Sequence, residues 1–165
     1  MSHLQTSPVG SRSIEEILAA ARARLHRIQP STAHEAQRTG AILVDIRPVA
    51  QRQEFGEIPG AVAIERNVLE WRFDPCSDAR LPIADRYDLP AVIVCQEGYT
   101  SSLAAAALQD LGLFKATDVI GGFAAWAAEC LPVIAFPAPK PSAGIGPRRL
   151  ATELVSTASS RPAGD

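Results

Sequence analysis

The chain has no apolar run approaching the length needed to span a membrane. Its first residues also lack the apolar core and small-residue cleavage site of a secretory signal. Arginine and serine there have some transit-peptide character, which Glu15 and Glu16 weaken. No excess of positive charge is present: the formal net charge is −2, which argues against a nucleic-acid partner. Cysteine is scarce, with Cys76, Cys95 and Cys130 an odd number at wide, irregular spacing. That pattern argues against a disulfide framework or a zinc site and fits reduced thiols in a cytosol. There is no internal repeat. These features predict a cytoplasmic chain of one domain plus tails, and its 47% of hydrophobic residues suffices for a proper core.

The most informative stretch is Val92-Ile93-Val94-Cys95-Gln96-Glu97-Gly98-Tyr99-Thr100-Ser101-Ser102-Leu103, followed by an alanine-rich run to Leu111. β-Branched residues stop at a cysteine, a glycine-containing loop and hydroxyl residues follow, and strong helix formers come next. Read as strand, loop and helix, this sets Cys95 at the end of a buried strand, facing a helix N-terminus. Unpaired N–H groups and the helix dipole there favour a thiolate over a thiol, and the thiolate is the nucleophile. A lone cysteine is more commonly a small buried hydrophobe. This one lies where open α/β sheets place their ligand crevice, which favours the functional reading.

Residues 1–12 are polar and read as a flexible N-terminus. Ser13-Ile14-Glu15-Glu16 is a capping box. Ile14, Ile17, Leu18, Ala21, Leu25 and Ile28 then recur at helical spacing, predicting a helix that Pro30 ends. Arg22, Arg24 and Arg27 read as its solvated face. Thr32-Ala33-His34-Glu35 predicts a second, weaker cap, opening a short helix that Gly40 closes. His26 and His34 read as surface residues. A strand over 42–46, a short helix from Pro48 to about residue 54, a strand over 61–64 and a short helix bearing Trp71 follow. Residues 73–89 form a long connection. A helix over 101–111, a strand over 118–120, the Gly121-Gly122 turn and a helix over 123–129 complete the pattern. From Phe136 the chain is rich in Pro, Ala, Ser and Gly and reads as a flexible tail over 136–165, with Ile145, Leu150 and Leu154 the expected anchors should it pack.

Strands alternating with helices predict a small doubly wound α/β domain over 31–135, with a mostly parallel five-stranded sheet, helices on both faces and an extra N-terminal helix over 13–30. The sequence resembles the rhodanese (thiosulfate sulfurtransferase) family from about Ser31 to Val133. Leu43-Val44-Asp45-Ile46-Arg47 is similar to that family's Asp-x-Arg strand end. Glu54-Phe55-Gly56-Glu57-Ile58-Pro59-Gly60-Ala61 is similar to its Gly-His-Ile-Pro-Gly-Ala turn, with Glu57 where histidine is common. Cys95-Gln96-Glu97-Gly98-Tyr99-Thr100-Ser101 is similar to its Cys-x-x-Gly-x-Arg-Ser loop, and Gly121-Gly122-Phe123-x-x-Trp126 also matches.

The resemblance implies that Cys95 attacks a sulfane sulfur, holds it as a persulfide and passes it to a thiophilic acceptor. It implies a cradle of backbone N–H groups from Gln96, Glu97, Gly98, Tyr99, Thr100 and Ser101, with no metal and no organic cofactor. Asp45, Arg47 and Glu54 are expected to fix the strand-to-helix turn through charge-assisted hydrogen bonds. The implied partners are a persulfide or thiosulfate donor and a thiol or other thiophilic acceptor, with no nucleic acid and no membrane; oligomeric state is left open. Thr100 stands where many active members have arginine, and Glu97 adds negative charge, so a protein or low-molecular-weight persulfide is expected as donor rather than thiosulfate. Two other classes compete: a non-catalytic binding or regulatory module, and a phosphatase or arsenate reductase of the same fold, which needs a longer loop and a terminal arginine.

Overall fold

A computed structural model describes residues 7–137 of the chain. Helix α1 spans Ile14–Ala23, and the capping box at its start forms: Ser13 Oγ accepts from the Glu16 N–H, and Glu16 accepts from the Ser13 N–H. The helix stops at Ala23, well before Pro30. Residues beyond it unwind so that Ile28 can sit beside Val119 in a parallel bridge. There the Ile28 N–H bonds the Asp118 carbonyl at 3.1 Å, and the Ile120 N–H returns to Ile28 at 2.9 Å. The apolar periodicity that predicted a helix through Ile28 therefore reports burial only in its second half: Ala21 and Leu25 are buried and Ile28 is half-buried at the sheet edge, whereas Ile14 and Ile17 stay exposed.

Helix α2 spans Pro30–Arg38, with Gln29 as N-cap and no side-chain cap bond of its own. Proline at the first helical position, with φ already set, wins over the capping box predicted at Thr32. Glu129 instead accepts from the Ser31 N–H. Strand β1 (Ile42–Asp45), helix α3 (Val49–Phe55), strand β2 (Val62–Ala63), a 3-10 turn (Arg66–Val68) and α4 (Leu69–Phe73) follow. After a long connection come β3 (Ala91–Val94), α5 (Thr100–Asp110), β4 (Thr117–Asp118) and α6 (Gly122–Ala128).

Among the described residues the sheet has four strands in the order β2-β1-β3-β4, all parallel, rather than the five predicted. Beside β4, Ile28 makes a single parallel bridge to Val119 and the chain enters α2 at Pro30 two residues later, so no fifth strand forms there. Alternation along the central strands builds two cores. Val44 and Ile93 join Leu69, Phe73, Leu108 and Leu113 on one face. Leu43, Val92 and Val94 join Ile58, Phe123 and Trp126 on the other. Each such large side chain, once buried, contributes about 1.5–3 kcal/mol. No helix among the described residues is long and apolar enough to cross a membrane. Residues 1–6 of the expected N-terminal tail and nearly all of the C-terminal one, with Ile145, Leu150 and Leu154, lie outside the described residues. Phe136, predicted to begin the tail, lies with its ring 5.3 Å from the Arg52 guanidinium, and Ile134 bridges Glu57.

Because all strands run parallel, the carboxyl ends of β1, β3 and β4 share one edge of the sheet. Asp45, Cys95 and Asp118 stand there.

Candidate active site

Cys95 directly follows β3, and the chain turns through four residues into α5. Its sulfur accepts hydrogen bonds from the N–H of Gly98 at 3.2 Å and of Ser101 at 3.3 Å. The thiol donates to Ser101 Oγ at 3.2 Å. Cys95 is buried yet lines a cleft of about 740 Å³, whose walls include Phe55, Arg66, Gln96, Glu97, Tyr99 and Thr100. Glu97, Tyr99 and Thr100 are exposed at its mouth. Donors converging on a sulfur that can be reached from solvent suit a nucleophile or an anion carrier.

Two glycines make this turn possible. Gly98 has φ +80°, and a Cβ on it would meet the Gly121 nitrogen at 2.7 Å. Gly122 has φ +60°, and its Cβ would run into the Cys95 carbonyl and the Gly98 nitrogen. The start of α6 can therefore press against the loop. The Phe123 N–H donates to the Cys95 carbonyl at 2.8 Å, and the Ala124 N–H to that of Gln96 at 2.9 Å. First-turn N–H groups of one helix thus satisfy carbonyls that the end of β3 leaves open.

Arg47 is buried against the same edge. It forks onto both oxygens of Asp45, bonds the Gly56 carbonyl at 2.8 Å and reaches Gln96 Oε1 at 3.2 Å. Its guanidinium also lies 3.7 Å from the centre of the Phe123 ring. Glu54 is not in this group: it is exposed at the end of α3, and the Gly56 carbonyl takes the place predicted for it. Glu57 instead pairs with Arg52.

Four site residues, Asp118, Arg27, Arg22 and Ser102, were not marked by the sequence. Asp118 at the end of β4 is fully buried and accepts from the hydroxyls of Ser101 and Ser102, each at 2.8 Å. Arg27 forks onto Asp118 at 2.8 and 3.1 Å. Arg22 donates to Ser102 Oγ and, with Arg27, to the Gly98 carbonyl. Of the three arginines predicted to form a solvated face, only Arg24 does, in an exposed pair with Asp110. A lone acid in the apolar run Thr117-Asp118-Val119-Ile120 was the available signal; nothing in the helical pattern marks Arg22 or Arg27. His26 is exposed, whereas His34 is half-buried, edge-on to Trp126 with ring centres 5.5 Å apart.

Cys76 and Cys130 are free and exposed, like Cys95 in lacking a disulfide. The Cys76 sulfur lies 3.2 Å from the Tyr87 hydroxyl, and that hydrogen bond, reinforced by Cys76's charge, raises the Tyr87 phenol above its ordinary range.

A family model for the Rhodanese-like domain matches residues 29–129. The chain belongs to the rhodanese-like family. A thiosulfate sulfurtransferase GlpE from Pseudomonas savastanoi pv. phaseolicola is 35% identical over 102 residues, which cover 62% of this chain and 87% of that protein. The adenylyltransferase and sulfurtransferase MOCS3 of Oryza sativa subsp. japonica is 28% identical over 95 residues; the match takes in 55% of this chain but only 21% of that protein. Among solved structures, a Rhodopseudomonas palustris protein of unknown function, described as a possible tyrosine phosphatase, superposes with a TM-score of 0.70 at 30% identity. It covers 79% of this chain and is itself covered completely. The family match begins after α1, so Arg22 and Arg27 lie outside it.

Proposed function

We propose that this rhodanese-like domain is a sulfurtransferase in which Cys95 carries the transferred sulfur. The observation that supports it most is the Cys95 sulfur at the floor of an open cleft with the Gly98 and Ser101 amides on it. In the first step the Cys95 thiolate attacks the sulfane sulfur of a donor R–S–S⁻. The donor S–S bond breaks, R–S⁻ leaves with its electron pair, and Cys95 holds a persulfide. An acceptor thiolate then attacks the outer sulfur and departs as the new persulfide, restoring the Cys95 thiolate. Both steps exchange one S–S bond for another, so no oxidant enters. The amides of residues 96–101 form the cradle for the charge on the outer sulfur. Three free cysteines fit a reducing, cytoplasmic setting for this chemistry.

The cleft favours a thiol persulfide over thiosulfate as donor. Among the described residues its two arginines are both engaged: Arg47 with Asp45, and Arg66 with Glu70 at 2.7 Å. Thr100, at the first position of α5, brings no charge, and Glu97 brings a negative one. Incubation with a low-molecular-weight persulfide should add one reducible sulfur atom to the intact mass, located on Cys95. A protein that takes up no sulfur from persulfide or thiosulfate would instead be a binding module. The similarity to a possible tyrosine phosphatase gives the phosphatase reading its arm of the same test, and an aryl phosphate should be left intact, since no guanidinium stands at position 100.

The donor preference makes its own prediction. Thr100→Arg should raise turnover with thiosulfate, because one charge-assisted hydrogen bond is worth roughly 1.5–3 kcal/mol, about ten- to a hundredfold in rate if made in the transition state. Glu97 competes for the new guanidinium, so the double variant with Glu97→Gln should gain most. A thiol persulfide donor, which has no sulfonate group for the new guanidinium to hold, should show little change. If all variants stay at the wild-type level with thiosulfate while folding normally, the missing arginine is not what limits that donor.

A further inference from the structure

We propose that the segment preceding the family match is a working part of the site: Arg22 and Arg27 are positioning residues that hold the Cys95 loop in its sulfur-facing shape. This rests on the reading of Cys95 as sulfur carrier. The loop has no side-chain cap of its own, since Tyr99 occupies the N-cap position of α5 without making the cap bond. Its shape is held from behind. Arg22 donates to the Gly98 carbonyl at 2.8 Å and Arg27 to the same oxygen at 3.0 Å. Two cations on one carbonyl leave that peptide little freedom to flip. In a trans peptide the carbonyl and the following N–H point in opposite directions, so pinning the Gly98 oxygen toward α1 commits the Tyr99 N–H to the other side of the loop. The N–H of Gly98 itself goes to the Cys95 sulfur.

The second line of support runs through Asp118. Arg27 forks onto both of its oxygens, and Asp118 Oδ2 accepts from Ser101 Oγ. Ser101 is the residue whose N–H and hydroxyl both touch the Cys95 sulfur. The chain Arg27–Asp118–Ser101–Cys95 thus sets where the sulfur's partners sit. It also sets the local charge. Asp118 is buried two hydrogen bonds from the sulfur, and without Arg27 its carboxylate would lose its ion-pair partner and oppose a negative sulfur. The segment after α1 that carries Arg27 is anchored independently of this clamp by the Ile28 bridge and by Thr117 Oγ1 donating to the His26 carbonyl at 2.8 Å. The arginines are therefore not needed merely to attach the segment. Arg24, whose exposed pair with Asp110 also joins this segment to α5 but touches no part of the loop, is the natural control.

The test uses the full chain with Arg22→Gln, Arg27→Gln, Arg27→Lys, Arg24→Gln, Asp118→Asn and the Arg27→Gln/Asp118→Asn pair. Sulfur transfer from a glutathione persulfide donor to cyanide gives kcat and KM, and alkylation of Cys95 by iodoacetamide at neutral pH gives a readout that needs no sulfur chemistry. Arg27→Gln should lower kcat about ten- to a hundredfold, the value of one charge-assisted contact, with KM for cyanide unchanged. Alkylation should slow in parallel. Arg22→Gln should fall less, Arg27→Lys should lie between Arg27→Gln and wild type, and Arg24→Gln should match wild type. Asp118→Asn added to Arg27→Gln should recover part of the loss, because the unpaired carboxylate is gone. Should Arg27→Gln fail to fold, Arg27→Lys and Arg22→Gln carry the comparison. Wild-type kcat and alkylation in both Arg22→Gln and Arg27→Gln would overturn the proposal, as would losses equal to that of Arg24→Gln. A wild-type protein that transfers no sulfur, yet whose Cys95 alkylation still depends on Arg27 and not on Arg24, would sink the sulfurtransferase reading and leave the positioning role standing.

Discussion

Cys95→Ser is expected to bring sulfur transfer to the uncatalysed background, a loss of at least about a thousandfold, as removal of a covalent nucleophile does. The substitution is nearly isosteric. A serine hydroxyl can keep the hydrogen bonds from the Gly98 and Ser101 amides, so the melting temperature should barely move. What serine cannot do is accept and release sulfur through an S–S bond. Cys76→Ser and Cys130→Ser should stay within about twofold of wild type, the usual range for exposed positions away from a site. Neither has a strand end and a helix start converging on it: Cys76 lies in the connection after α4 beside Tyr87, and Cys130 follows α6 with φ 56°. Thiocyanate formation from cyanide and a persulfide donor measures all three. An equal loss from Cys76→Ser would mean a two-cysteine relay and would refute the single-carrier mechanism.

The turn that carries Cys95 was legible because its signals are local: β-branched residues, a glycine, and then helix formers. The same holds for the central strands, whose unbroken apolar runs are what a doubly covered parallel sheet requires. The end of α1 was not legible. Leu25 and Ile28 continue a helical rhythm, but the same burial is achieved by a chain that has left the helix and joined the sheet edge. Arg22 and Arg27 were opaque for a related reason, since a charged helix face looks the same whether it meets water or the back of a loop 71 to 76 residues away. Asp118 was half visible: an acid within an apolar run needs a partner, but only the fold says which one. Glu54 failed because the motif places a carboxylate near Arg47, whereas the backbone brings the Gly56 carbonyl there first.

Arg47→Met is expected to be the most destabilising single change at the site edge. Its side chain is 0% exposed and that of Asp45 3%, so the pair has little water to fall back on. Burying such a pair gains little net stability, because desolvation offsets the attraction, but removing one partner leaves a buried charge alone and costs about 3–5 kcal/mol. For a domain of this size that is roughly a 10–20 °C drop in melting temperature. The variant also frees the Gly56 carbonyl and Gln96 Oε1 and removes a guanidinium stacked 3.7 Å from the Phe123 ring centre. The size of the loss alone does not separate the unpaired charge from the lost contacts, but a cycle does. Asp45→Asn in the Arg47→Met background keeps a carbonyl oxygen to accept from the backbone N–H of residue 47, as Asp45 Oδ1 does at 3.0 Å, and removes the buried charge. The double variant should therefore be more stable than Arg47→Met by about 1–3 kcal/mol, the cost of leaving a buried polar group unsatisfied. Thermal unfolding of the four proteins decides it. A double variant no more stable than Arg47→Met would show that the stacking on Phe123 and the bonds to Gly56 and Gln96, rather than the neutralisation of Asp45, are what Arg47 supplies to this edge of the sheet.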